Sequence, residues 1–243
     1  MKIIKSLPSV ISSMNLISGA AATVFAFQGD IETAVYLVLF ASVCDFFDGF
    51  TARMLNAISE FGKQIDSLAD LISFGFAPTA ILYNFIISNH LFSIHFALAS
   101  LILVLFSALR LAKFNIDTQQ KTEFRGLPTP ASAVFIISIC YPHSFEFINL
   151  TDLFQNEIFI ISIMILLPTL MVSRIKLFSL KIKTLDFKSN IWQIILLIFT
   201  VINLIIFGIS GLAFSIILYL ALSILKQIFN YKKRNNDEIS SSN

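Results

Sequence analysis

Eight stretches of about 18 or more predominantly apolar residues follow one another along this chain, joined by short polar connections. They cover residues 9–28, 32–54, 65–88, 91–113, 129–147, 156–174, 190–208 and 210–229. Each is long enough to cross a bilayer as a helix, so the fold class expected is an all-α integral membrane protein. Only 13% of the 243 residues are charged and the mean hydropathy is +0.83, whereas a soluble domain carries about a quarter charged residues. The basic-then-apolar start has the order of a signal peptide, but its apolar run is long and seven more follow, so it reads as a first span. Cys44 and Cys140 fall in different spans and read as small buried hydrophobes rather than a disulfide framework.

Charge gives the orientation. With eight spans and both termini in the cytoplasm, all 17 Lys and Arg fall on the inner side. The outer connections hold Asp30, Glu32, Glu146, Asp152 and Glu157. A wrong span count would scramble this segregation. No linker divides the chain, so residues 1–230 read as a single transmembrane catalytic domain, and the polar tail 231–243 is expected to be disordered. Basic residues at the inner surface point to membrane lipid as a partner and not to nucleic acid.

Four aspartates break the apolar pattern at one place. Residues 45–70 read DFFDGFTARMLNAISEFGKQIDSLAD. Asp45 and Asp48 are three apart and Asp66 and Asp70 four apart, so on helices each pair shares a face. One pair closes the second span and the other opens the third, and a short hinge makes those spans antiparallel neighbours. Four carboxylates therefore converge at the inner membrane boundary. Such a cluster in a poor dielectric needs a positive partner, and an all-oxygen donor set suits Mg²⁺ or Mn²⁺ rather than zinc. A pair of such ions is a device for displacement at phosphorus. Gly49, Ala52 and Gly62 leave room for a ligand against the helices, and Arg53 brings a guanidinium suited to phosphate. Singly, each residue is as well explained by a cap, a solvated face or a helix-packing contact; the joint spacing is the signal.

That spacing, D-x2-D-G-x2-A-R-x8-G-x3-D-x3-D, resembles the signature of the CDP-alcohol phosphotransferases at every fixed position: Asp45, Asp48, Gly49, Ala52, Arg53, Gly62, Asp66 and Asp70. DSLADLISFGFAP (66–78), RLAKFNI (110–116) and FRGLPTPASA (124–133) look like the branch of that family that makes phosphatidylserine, and Pro8 and Asn15-Leu16 resemble its opening motif less cleanly. The resemblance implies a six-helix core, here about residues 8–174, with two further C-terminal helices, an active site facing the cytoplasm of the cell membrane, and frequent homodimers. It implies Asp45, Asp48, Asp66 and Asp70 as metal ligands, Asp70 also as general base, and Gly49, Ala52, Arg53 and Gly62 as the cytidine nucleotide pocket. The implied reaction is CDP-diacylglycerol plus L-serine giving phosphatidylserine and CMP, a step of phospholipid biosynthesis. For the serine carboxylate or the lipid phosphate, Arg110 and Arg125 are the candidates, both in the loop region between spans four and five. Two alternatives stay open: a sister enzyme with another acceptor (glycerol phosphate, inositol phosphate) or an archaeal ether-lipid donor, and a cation-coupled transporter. Against the transporter, the aspartates sit at a boundary rather than the midplane, and no inverted repeat is visible.

Overall fold

The computed structural model describes residues 7–55, 57, 59–116, 124–141, 151–178 and 190–241; at 124–125, 151–152 and 229–241 it describes the backbone alone. Five helical tracts are long and apolar enough to cross a membrane: α1 (Leu7–Gln28), α2 (Ile31–Met54), α3 (Glu60–Ser88), α4 (Ile94–Ile116) and the tract Ile191–Ile228. Two shorter apolar helices, α5 (Thr129–Cys140) and α6 (Glu157–Val172), lie between them. Outward faces are apolar: Ile205 is 80% exposed and Phe61 71%. Contiguous apolar surface on this scale is tolerated in lipid and not in water, and the chain is a multi-pass membrane protein.

Local chemistry sets each helix end near the site. Gly29, at φ +87°, closes α1, and Asp30 caps α2 by accepting from the Thr33 N–H at 3.0 Å. That hydrogen bond holds the Asp30 carboxyl below its ordinary range. The turn is so short that α1 and α2 must pack antiparallel, along a seam of Ala22, Ala26, Ala34, Val35, Val38 and Ala41. Small side chains let the backbones approach closely. At the other end of α2, Ser59 restarts the chain as the cap of α3, accepting from the Gly62 N–H at 3.0 Å. Hydroxyls inside the spans return to carbonyls one turn back, as Thr23 does to Gly19 at 3.0 Å and Thr79 to Gly75 at 2.8 Å.

The middle of α3, Leu71–Phe76, is π-helical. Pro78 lacks an N–H for the carbonyl four residues back and its ring crowds that carbonyl; the widened turn just before it absorbs the conflict. This segment is gripped from two sides. Ser73 donates to the Asn15 carbonyl of α1 at 2.9 Å, and a Cβ on Gly75 would stand 3.0 Å from Ser107 Cβ of α4. Gly19 of α1 lies flat on Ser73, where an added Cβ would be 2.8 Å from Ser73 Cβ. Gly19→Leu is therefore expected to cost about 1–3 kcal/mol by overpacking and to lower the thermal midpoint in detergent by several degrees. An unchanged midpoint would contradict the close approach of α1 and α3.

Helix α5 is the inner element, with Thr129, Ser132, Ala133 and the whole run Phe135–Cys140 buried. It is shorter than the span 129–147 expected from hydropathy. The helix ends because Tyr141 precedes Pro142, and a residue before proline is pushed out of the α region; Tyr141 is extended, with ψ 128°. Its hydroxyl pairs with that of Tyr36 at 2.7 Å. Residues 142–150, which contain the remainder of the expected span, lie outside the described residues.

A two-residue antiparallel ribbon, unforeseen in an all-α reading, joins β1 (Phe124–Arg125) to β2 (Lys176–Leu177), with Phe124 opposite Leu177 and Arg125 opposite Lys176. The tract Ile191–Ile228 is a hairpin of α7 (Ile191–Phe207) and α8 (Gly211–Ser241), broken at Gly208 with φ +56°. A Cβ on Gly211 would be 3.1 Å from Asn203 Cβ; in a continuous helix eight residues span about 12 Å, so the chain has folded back. The backbone of α8 stays helical to Ser241, through the tail read from composition as disordered. Extending a formed helix adds a hydrogen bond per residue and needs no new nucleus.

Candidate active site

The N-terminal ends of α1 and α3 and the C-terminal end of α2 enclose a cleft of about 210 Å³. Asp48 of α2 is 4% exposed and Ser12 of α1 3%. The Ser12 hydroxyl donates to Asp48 Oδ2 at 2.6 Å, which fixes the carboxylate's rotamer. Asp45, Asp48 and Asp66 each present a carboxylate oxygen to the same point, all within 4.8 Å of one another. At that spacing and an effective dielectric of 20, each charged pair repels by about 3.5 kcal/mol or more. A cation between them reverses the sign. The donor set is oxygen only, as hard divalent ions require, and Asp66 Oδ1 is enclosed without a hydrogen-bonding partner among the described residues. The residues present thus fit a divalent metal.

Asp70 is not one of that three-carboxylate group. It lies one turn further along α3, near enough to Asp45 for the two carboxyls to interact, and its Oδ1 is enclosed and unpartnered among the described residues. The fourth carboxylate is thus left beside the cluster with a free oxygen. Arg110 of α4 stands within electrostatic reach of it. The Arg110 Nη1 donates to Thr129 Oγ1 of α5 at 3.3 Å while its Nε is buried and unpartnered among the described residues.

Gly49, Ala52, Arg53 and Gly62 all line the cleft with Asp48 and Asp66. The Arg53 guanidinium lies along α2 beside Gly49, where an added Cβ would meet Nη1 at an ordinary contact distance of 3.4 Å. Arg125 is placed by its backbone in β1; its side chain lies outside the described residues.

Several contributors escape the aspartate pattern. Pro8, Ser9 and Ser12 of α1, with Ala57, Ser59 and Lys63, complete the cleft. Lys63 is tied to α4 by donating to the Asn115 carbonyl at 3.2 Å, and Asn115 donates to Ser67 at 2.8 Å. Asn15 is fully buried with both amide atoms unpartnered among the described residues. It sits three residues beyond Ser12, as Asp45 sits three before Asp48 on the antiparallel neighbour, so its register brings it to the level of Asp45. A polar pair at helical spacing inside an apolar span was the available signal.

The geometry agrees with what comparison with known proteins finds. The sequence profile described as CDP-alcohol phosphatidyltransferase matches residues 5–172. A CDP-diacylglycerol–serine O-phosphatidyltransferase of Helicobacter pylori (strain ATCC 700392 / 26695) is 32% identical over 228 residues, 91% of each chain. An archaetidylserine synthase of Methanothermobacter thermautotrophicus is 35% identical over 173 residues, 70% of this chain and 69% of that one. A CDP-diacylglycerol–serine O-phosphatidyltransferase of Bacillus subtilis is 34% identical over 140 residues, 57% of this chain and 77% of that one.

Proposed function

Because the chain belongs to the CDP-alcohol phosphatidyltransferase family, we propose that it transfers the phosphatidyl group of CDP-diacylglycerol to the hydroxyl of L-serine, yielding phosphatidylserine and CMP. The observation that carries this is the meeting of Asp45, Asp48 and Asp66 at one point beside an open cleft, with Asp70 held next to them. Serine as acceptor is supported by the names of the relatives from H. pylori and B. subtilis. The archaeal relative, named for archaetidylserine, makes an ether-lipid donor the second reading.

Asp45, Asp48 and Asp66 would hold Mg²⁺ or Mn²⁺, one ion or a pair, which when bound screens the diphosphate and the charge of the leaving CMP. Gly49, Ala52 and Gly62 leave the cleft wall without bulk where the nucleotide lies, and Arg53 offers its guanidinium to phosphate. Arg110 pairs with the serine carboxylate. Asp70 takes the proton of the serine hydroxyl through its free Oδ1. The serine oxygen bonds to the phosphorus bearing diacylglycerol, the bond from that phosphorus to the bridging diphosphate oxygen breaks, and CMP leaves with the electron pair. Holding both reactants at one point supplies much of the acceleration in such transfers.

In this reading α1–α6, about residues 8–174, form the catalytic core and α7–α8 are an addition. Eight crossings with both termini in the cytoplasm place the cleft at the inner face, where Arg53 and Lys63 lie with the rest of the basic residues. The test is an acceptor and donor panel on purified protein in detergent. CMP release from CDP-diacylglycerol should require serine and a divalent cation, and EDTA should abolish it until Mg²⁺ or Mn²⁺ is restored. Release with glycerol phosphate or inositol phosphate and none with serine would overturn the acceptor. Turnover only of an ether-lipid CDP donor would overturn the lipid, and no CMP release at all would revive the transporter.

A further inference from the structure

The matched family region ends at residue 172, and none of the residues lining the cleft comes from α7 or α8. Yet α8 is tied to the segment that follows α6. The Tyr219 hydroxyl donates to the Phe178 carbonyl at 3.0 Å, and the two rings meet edge to face with centroids 5.1 Å apart. Farther along α8, Lys226 Nζ stands 5.3 Å over the Phe178 ring, and the Gln227 side-chain amide donates to the Lys176 carbonyl. Tyr219 and Phe178 are 4% and 7% exposed, so the contact between those two is made in the interior, where a lost partner is costly.

What α8 holds is β2, and β2 holds the entrance to α5. Beyond the pairing of β1 with β2, the Gly126 N–H donates to the Ile175 carbonyl at 2.9 Å and the Leu127 N–H to the Leu170 carbonyl at 3.0 Å. Gly126 has φ +75°, and a Cβ there would stand 3.0 Å from the Ser173 carbonyl oxygen; the seam fits glycine alone. Three residues after Gly126 comes Thr129, whose hydroxyl accepts from Arg110. Arg110 is within electrostatic reach of both Asp70 and Tyr219. An unbroken run of contacts therefore leads from α8 to the one guanidinium that the described residues place beside Asp70.

We propose that the α7–α8 hairpin is a clamp for the acceptor side of the site, with Tyr219 as its positioning residue: by holding β2, β1 and the start of α5, it fixes Arg110 at the distance from Asp70 that a small acceptor bearing a carboxylate requires. A long, flexible arginine left unheld would lose affinity for that carboxylate to side-chain ordering, while the nucleotide cleft, built from α1, α2 and α3, would be untouched. The proposal rests on the serine reading above.

The experiment is Tyr219→Phe in the full-length protein, which removes one hydroxyl and keeps the ring, with Lys226→Gln as a second, milder variant. Hydrogen exchange over residues 124–127 should lose about tenfold of its protection. The KM for serine should rise about tenfold, with kcat and the KM for CDP-diacylglycerol within about twofold of the parent. Unchanged exchange would overturn the clamp, since the ribbon would not depend on α8. Faster exchange with an unchanged serine KM would overturn the positioning role. Serine and CDP-diacylglycerol KM rising together would mark general loosening and overturn it as well. If the parent protein does not use serine, the acceptor assignment falls by itself; the exchange measurement still judges the clamp, and the KM comparison is read on whichever acceptor the parent uses.

Discussion

Asp70→Asn is expected to lower turnover about 10³-fold while leaving Mn²⁺ and CMP binding within a few-fold of the parent. The substitution keeps the size and one oxygen of the side chain and removes only its ability to take a proton. A positioned general base contributes about 10²–10⁴-fold, which sets the scale. The structure separates this aspartate from the others: three carboxylates share a point within 4.8 Å, whereas Asp70 lies a turn further along α3 and keeps an enclosed Oδ1 with no partner among the described residues. Mn²⁺ binding can be read by electron paramagnetic resonance and CMP binding by calorimetry, neither of which needs turnover. Near-normal turnover would remove Asp70 from the base role. A parallel collapse of Mn²⁺ binding would make it a ligand instead.

The parts of this protein that were legible from its residues are those in which a local rule and the tertiary contact agree. Asp45, Asp48 and Asp66 needed only helical spacing and a short hinge to be brought together, with Ser59 capping the helix after that hinge; helical spacing alone did not show that Asp70 would stand outside their meeting point. Long apolar runs marked α1–α4 within a few residues because lipid rewards length and hydropathy alike. Where two local signals compete, hydropathy misleads. The run through 129–147 is apolar, but the Tyr141-Pro142 step ends α5 at Cys140. The β1–β2 ribbon was illegible because two residues carry no period, and it exists only because the chain after α6 returns to the loop before α5. Ser12 was hidden for another reason: a serine in an apolar span usually bonds its own helix, as Ser12 can at the Pro8 carbonyl 3.1 Å away, and only the packing of α1 on α2 brings Asp48 to 2.6 Å from the same hydroxyl.

Asp48→Asn should have the opposite signature from Asp70→Asn, with binding lost before chemistry can be judged. Asp48 belongs at once to the carboxylate cluster and to the wall of the cleft, so one substitution removes a ligand charge and a surface that the nucleotide meets. Changing a residue that merely orients a metal ligand costs about 10–100-fold in affinity; losing a ligand should cost more, and Mn²⁺ affinity is expected to fall by at least about 100-fold, with CMP binding and turnover falling alongside. Excess Mn²⁺ should recover part of the loss, because the remaining Asp45 and Asp66 still converge. Ser12→Ala, which leaves Asp48 charged but removes the 2.6 Å hydrogen bond that sets its rotamer, should fall between the parent and Asp48→Asn, within that 10–100-fold band. The two variants test different links, ligation and orientation, at one carboxylate. Mn²⁺ affinity unchanged in Asp48→Asn would mean that the three oxygens meet without a cation between them, and their mutual repulsion would then need another source of compensation in the fold.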